Sequence, residues 1–201
     1  ILSACSGIAL VYTAFSSLCT RDGMIMLFLG TTAIIAAIKY TVGKGAYGYH
    51  GLGDLFVFLF FGLLSVAGSW FLMAHLLDPA IFLPAAAIGF LSAGVLNLNN
   101  MRDIENDKAC KKYTIPVLIG IRKAKIYHFC LIVGAFLTMT GYVLLQGFKI
   151  SHFLFLLTLP LFIIHLQQIS KSRGRELDPQ LKVLSLSTLL FALAGGTGFM
   201  I

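Results

Sequence analysis

The sequence predicts an all-α fold, a polytopic transmembrane bundle of seven helices in one domain covering residues 1–201. Three observations predict it. Apolar residues make up 58% of the chain and charged residues only 11%, where a soluble domain carries about 25% charged. The mean hydropathy is +0.91. The apolar residues gather into seven runs, each close to the roughly 20 residues that cross about 30 Å of hydrocarbon at 1.5 Å per residue.

In order, the runs are Ile1–Cys19, stopped by Thr20-Arg21-Asp22-Gly23; Met24–Tyr40; Leu55–Leu77, ending at Asp78-Pro79; Ile81–Leu98; Ile126–Leu145; Phe153–Ile169; and Leu181–Ile201. Pro160 is expected to kink the sixth, where a neighbour can satisfy the freed carbonyl. If every run crosses, 13 of the 15 Lys and Arg residues fall on one side and only Arg21 and Lys149 on the other. That asymmetry is a positive-inside signal and assigns the loops 41–54, 99–125 and 170–180 to the cytoplasm. The net charge of +7 therefore reads as topology. No basic face or nucleic-acid motif accompanies it, so no nucleic-acid partner is expected. The lipid bilayer is the expected surrounding.

The four cysteines lack Cys-x-x-Cys spacing and read as free thiols. No signal peptide is apparent, and the start at Ile1 suggests a fragment that begins inside a helix. Ala85, Gly89 and Ala93, and likewise Ala192 and Gly196, recur at spacing four and read as close-packing positions. Asn97, His165, Gln167 and Gln168 sit near the cytoplasmic ends of their runs, where a polar cavity and a simple interface band both fit. His50, His75, His128 and His152 lie at loops or run ends without metal-ligand spacing. Asp54 reads as a helix cap.

The most polar stretch is Asn97–Thr114. Asn99, Asp103 and Asp107 are spaced by four, so on a helix each step drifts about 40° and the three share one side. Two carboxylates on one side repel unless a cation lies between them. Oxygen ligands so placed suit Mg²⁺, which takes one or two carboxylates and completes its shell with water and phosphate. Arg102, Lys108, Lys111 and Lys112 suit the phosphate itself. The spacing leaves a second reading open, a solvated loop whose ion pairs matter little. The loop 41–54, with five glycines and two tyrosines, enters the same water phase and reads either as a ligand-approaching backbone or as a flexible turn.

Two blocks carry a resemblance. Asn99-Asn100-Met101-Arg102-Asp103-Ile104-Glu105-Asn106-Asp107, followed by Lys112, Thr114 and Gly120, resembles the second aspartate-rich motif of the UbiA superfamily of intramembrane prenyltransferases. Gly48-Tyr49-His50-Gly51-Leu52-Gly53-Asp54 and the apolar run after it are similar to a segment of that family's menaquinone-pathway branch. The resemblance implies a nine-helix fold of which this chain holds seven. The first two helices and the first aspartate-rich motif are expected to be missing, and the piece alone to be inactive. It further implies Mg²⁺ held by Asp103 and Asp107, and a polyprenyl diphosphate bound with help from Lys112, Arg102, Asn99 and Asn100. The aromatic acceptor is expected to be 1,4-dihydroxy-2-naphthoate, approached by Lys44, Tyr40 and Tyr49, in a bacterial inner membrane with the site toward the cytoplasm. Lys111 stands where the family usually has Gly, and Tyr113 where a basic residue is common. Rival readings are a UbiA-type enzyme for 4-hydroxybenzoate, chlorophyllide or haem, and a transporter. A transporter would more often carry ionisable residues at mid-membrane.

Overall fold

A computed structural model describes residues 2–43 and 45–201. Helices dominate it: α1 (Leu2–Phe15), α2 (Arg21–Thr41), α3 (Gly53–Ala74), α4 (Pro79–Arg102), α5 (Ile104–Ala109), α6 (Ile115–Gln146), α7 (Ile150–Lys171) and α8 (Gly174–Met200). Six of them, α2, α3, α4, α6, α7 and α8, are long and apolar enough to cross a membrane, and α1 is a shorter apolar helix of 14 residues. The seven predicted runs thus correspond to seven apolar helices, with the short polar α5 between the fourth and the fifth.

Several boundaries differ from the expectation, each for a local reason. The first helix stops at Phe15 because Ser16 takes a left-handed backbone, φ 57. The fifth begins eleven residues earlier than Ile126, at Ile115, with Pro116 in its first turn, where a missing N–H costs nothing. It also breaks at Gly120, φ 79, a conformation that glycine enters freely. Pro160 does not interrupt an α-helix. Residues Ile150–Thr158 wind as a 3₁₀-helix and Leu159–Lys171 as an α-helix, so the proline sits in the first α turn.

The central helix is α4, half of whose most apolar stretch is buried. Its small-residue stripe does what the spacing predicts. Ala85 and Ala93 are sealed from solvent, and Gly89 lies against α3 where Gly62 faces it and the Ala85 carbonyl. The α3 backbone widens to a π-helix over Phe58–Leu64 at this crossing. On α8 the expectation needs correcting: Ala192 and Gly196 face outward, and the packing glycines are Gly195, against Met139, and Gly198, against Ser151. Phe136, Phe155, Phe162 and Phe191 close the core between α6, α7 and α8. Phe136 meets Phe162 and Phe191 edge-on at 5.3 and 5.1 Å, the favoured arrangement for aromatic pairs. Large apolar side chains such as Phe28, Leu144 and Leu157 remain outward, as a lipid-facing surface requires.

Candidate functional site

The acidic stretch keeps its helical spacing across a break. Asp103, with φ −96 and ψ 12, separates α4 from α5. Its N–H nevertheless reaches the Asn99 carbonyl at 3.1 Å, and the Asp107 N–H reaches the Asp103 carbonyl at 2.8 Å. Asn99, Asp103 and Asp107 therefore follow one another at one-turn intervals, as the sequence predicts.

The end of α5 folds back on itself. The Lys111 N–H bonds the Lys108 carbonyl and the Lys112 N–H bonds the Asp107 carbonyl, the paired bonds of a Schellman turn. That turn needs a left-handed residue at its centre, and Lys111 supplies it with φ 55. The reversal also brings the Lys112 side chain to Asp107. Its Nζ lies 3.1 and 3.2 Å from the two carboxylate oxygens, and the Thr114 hydroxyl adds a third, longer bond at 3.4 Å. Asp107 is buried, so these donors are what make its charge tolerable.

Asp103 is half-exposed and is held by its neighbour. Arg102 Nε and Nη2 donate to its two oxygens at 2.9 and 2.6 Å, and Nη1 reaches Asp178 on α8 at 3.2 Å. The bidentate guanidinium holds the Asp103 carboxyl below the usual carboxylate range. Arg102 and Lys112, expected beside a phosphate, thus also serve as counter-charges of the two acids. No cluster of three or more His, Cys, Asp or Glu side chains occurs among the described residues. The donor set is two hard carboxylates one turn apart, the number Mg²⁺ accepts when water and phosphate complete its shell. Asn100, three residues before Asp103, is buried with its Oδ1 unpartnered. Asp103 and Asp107 therefore fit the protein's share of a Mg²⁺–diphosphate site.

Asn99 opens onto an apolar cavity of about 430 Å³ with Val57, Phe61 and Leu96 in its wall. The same three residues line a neighbouring cavity of about 680 Å³ that runs to Tyr40, Tyr47 and Gly53. Two oily hollows thus meet at α3 and α4, each with a polar residue in its wall, Asn99 in one and Tyr40 in the other.

The loop before α3 is ordered by contacts that the sequence only partly suggested. Tyr47, which the sequence did not single out, donates its hydroxyl to the Ala36 carbonyl at 2.8 Å and stacks on Phe56 at 3.9 Å. The Tyr40 ring lies against Gly48 and Gly53, where side chains would collide with it. Tyr49 joins the acidic stretch through its backbone, its carbonyl accepting the Tyr113 N–H at 2.9 Å, while its ring is exposed. Lys44 lies outside the described residues. Asp54 is not a cap: Leu52 occupies that position, and Asp54 is buried in the first turn with Oδ2 unpartnered.

A second feature was missed. His128 is not at a run end but fully buried inside α6. Its Nε2 is 3.1 Å from His165 Nε2, and its Nδ1 is 3.4 Å from Asn97 Nδ2. His165 Nδ1 reaches Gln180 Oε1 at 2.9 Å, and Asn97 also donates to the Ala124 carbonyl. One ordering satisfies both rings: Asn97 to His128, His128 to His165, His165 to Gln180. The chain ties α4, two residues before Asn99, to α6, α7 and α8. Each member alone looked like an interface residue, and only the packing joins them.

The chain matches the UbiA prenyltransferase family over residues 2–196. It is 43% identical to a 1,4-dihydroxy-2-naphthoate octaprenyltransferase of Escherichia coli, over 96% of this chain and 64% of that protein. It is 39% identical to the protein of the same description from Haemophilus influenzae, over 98% and 63%, and 34% identical to that of Mycobacterium tuberculosis, over 84% and 57%. The chain spans just under two thirds of the length of the first two relatives.

Proposed function

The chain belongs to the UbiA prenyltransferase family, and from that premise we propose that it forms part of an intramembrane enzyme that transfers a polyprenyl group from its diphosphate to 1,4-dihydroxy-2-naphthoate. The products are the hydroquinone form, a demethylmenaquinol, with CO₂ and diphosphate. The observation that carries the reading is the Asp103 and Asp107 pair, each with its own basic partner, one and two turns beyond Asn99, which lines the apolar hollow between α3, α4 and α8.

Asp103 and Asp107 would be the residues that hold Mg²⁺. When bound, the ion neutralises charge that develops on the leaving diphosphate. Arg102 and Lys112 stay beside their carboxylates and balance the remaining negative charge as the allylic C–O bond breaks and its electrons depart with the diphosphate. Asn99 and Asn100 orient the diphosphate through their amides. The hollows lined by Val57, Phe61 and Leu96 hold the prenyl chain and exclude the water that would trap an allylic cation. The acceptor enters on the Tyr40, Lys44 and Tyr49 side. Its ring carbon bonds to the prenyl C1, and the ring carboxylate leaves as CO₂, so the charges balance.

The test is product detection by mass spectrometry with the full-length protein in lipid, a polyprenyl diphosphate and a panel of acceptors. The expected outcome is Mg²⁺-dependent prenylation of the naphthoate with loss of 44 mass units, about the mass of CO₂, from the carboxylate. Turnover of 4-hydroxybenzoate in preference to the naphthoate would overturn the acceptor, and no prenylated product at all would overturn the activity.

A further inference from the structure

Two helical faces wall the 430 Å³ hollow beside Asn99. Ser92, Val95 and Asn99 come from α4, and Leu181, Ser185 and Thr188 from α8. Steps of three and four keep each set on one side of its helix. In the same rhythm, the next position on α4 is Arg102 and the one before Leu181 on α8 is Asp178. These two side chains meet: Arg102 Nη1 donates to Asp178 Oδ1 at 3.2 Å. The contact therefore lies one step past the wall residues of both helices, at the same end of the hollow. The hydroxyls on the α8 face are engaged with their own helix, Ser185 with the Leu181 carbonyl at 2.8 Å and Thr188 with the Leu184 carbonyl at 2.9 Å. Charged recognition at this end falls to Arg102.

The two carboxylates on Arg102 are held differently. Asp103 takes Nε and Nη2 side-on with both its oxygens, at 2.9 and 2.6 Å. Asp178 takes one longer bond from one nitrogen, and its side chain is 52% exposed. The edge formed by Nη1 and Nη2 is shaped for two parallel bonds, which two oxygens of one phosphate make and a single carboxylate oxygen does not. An ion pair as exposed as this one contributes little and exchanges readily.

We propose that Asp178 is a resident anion on the phosphate-binding edge of Arg102, displaced when the substrate's diphosphate binds, so that it lowers the affinity for that diphosphate. The inference rests on the reaction proposed above. Arg102 keeps its side-on pair with Asp103, and Nη1 alone changes partner, from Asp178 to a phosphate oxygen. Asp178, already half in water, is released to solvent. When the diphosphate leaves, the carboxylate retakes Nη1, so the guanidinium edge is never left without an acceptor. A neutral lipid of the same chain has nothing to offer that edge and does not compete with Asp178.

The experiment is equilibrium binding of a non-reactive polyprenyl thiolodiphosphate, and separately of the uncharged polyprenol, to the full-length protein in nanodiscs with Mg²⁺. Asp178→Asn is expected to tighten the thiolodiphosphate roughly threefold, the scale of one exposed ion pair, and to leave polyprenol binding unchanged. Asp178→Glu keeps the charge and should bind both ligands as the wild type does. Unchanged or weaker thiolodiphosphate binding in Asp178→Asn would overturn the proposal. Equal tightening of both ligands would also overturn it, since the pair would then be a steric latch and not a competitor for phosphate. Tightening by Asp178→Glu would overturn it as well, because the charge would not be the cause. If Asp178→Asn does not fold, Asp178→Ser decides by the same criteria. A wild-type protein that binds no thiolodiphosphate removes the proposed reaction and this inference together, whereas a wild type that binds it as tightly as Asp178→Asn removes only this inference.

Discussion

Lys111 carries a backbone cost, its φ of 55 lying in the left-handed region. A left-handed conformation costs a non-glycine residue about 1 kcal/mol, and the Schellman turn leaves no alternative at this position. Lys111→Gly is therefore expected to stabilise the fold by about 0.5–1 kcal/mol, read as a rise in the thermal midpoint in detergent. An unchanged or lowered midpoint would mean that the side chain makes a compensating contact. Asp103 gives the pH prediction. Its folded-state pKa is depressed, first by the hydrogen bonds from Arg102. The stabilisation is fully present above the ordinary carboxylate value of about 3.9 and is lost as pH falls through the lower folded-state value. Near neutrality the group stays charged and able to bind a cation. Arg102→Gln should move its titration back up toward the ordinary range, as followed by carboxyl NMR. No movement would remove the guanidinium as the cause. Asp103, Asp107 and Lys112 stand out in the sequence by residue type and spacing. Their pairing does not, because it depends on a chain reversal that the unexpected Lys111 hides.

At the scale of the helices, the buried chain Asn97–His128–His165–Gln180 fixes the end of α4 from which the acidic stretch departs. Removing one ring strands its partner. His128→Leu and His165→Leu should each cost about 1–3 kcal/mol through unsatisfied buried groups. The double variant should cost clearly less than the two together, because the strandings cancel. Chemical or thermal denaturation of all four proteins measures this, and simple additivity would mean that the rings do not act as a unit. This network was illegible in the sequence. Its members lie on four helices and stand up to 83 residues apart, from Asn97 to Gln180, and periodicity says nothing about which helices meet. The small-residue stripe of α4 was legible because its spacing alone defines a face. The equivalent reading on α8 failed, since two glycine-bearing faces, Gly195–Gly198 and Ala192–Gly196, compete and only packing selects one.

For the whole molecule, hydropathy made the seven apolar helices legible and charge asymmetry suggested their orientation. Helix ends were less legible, because a left-handed residue at Ser16 and a proline-started turn at Ile115 set them. The orientation can be tested with native thiols. Cys19 and Cys110 are both exposed, one beyond α1 and one in the acidic turn. A membrane-impermeant maleimide applied to sealed vesicles whose cytoplasmic face points outward should label Cys110 and spare Cys19. The reverse pattern would invert the topology and place the acids on the wrong side for a cytoplasmic substrate.

The central claim is that Asp103 and Asp107 clamp a lipid diphosphate through a divalent ion. Its most direct measurement is equilibrium binding of a non-reactive polyprenyl thiolodiphosphate to the full-length protein in nanodiscs, with and without Mg²⁺, for the wild type and for Asp103→Asn and Asp107→Asn. The account predicts Mg²⁺-dependent binding that each substitution weakens on the order of tenfold or more. Binding of equal strength without Mg²⁺, or undiminished in both variants, would contradict it.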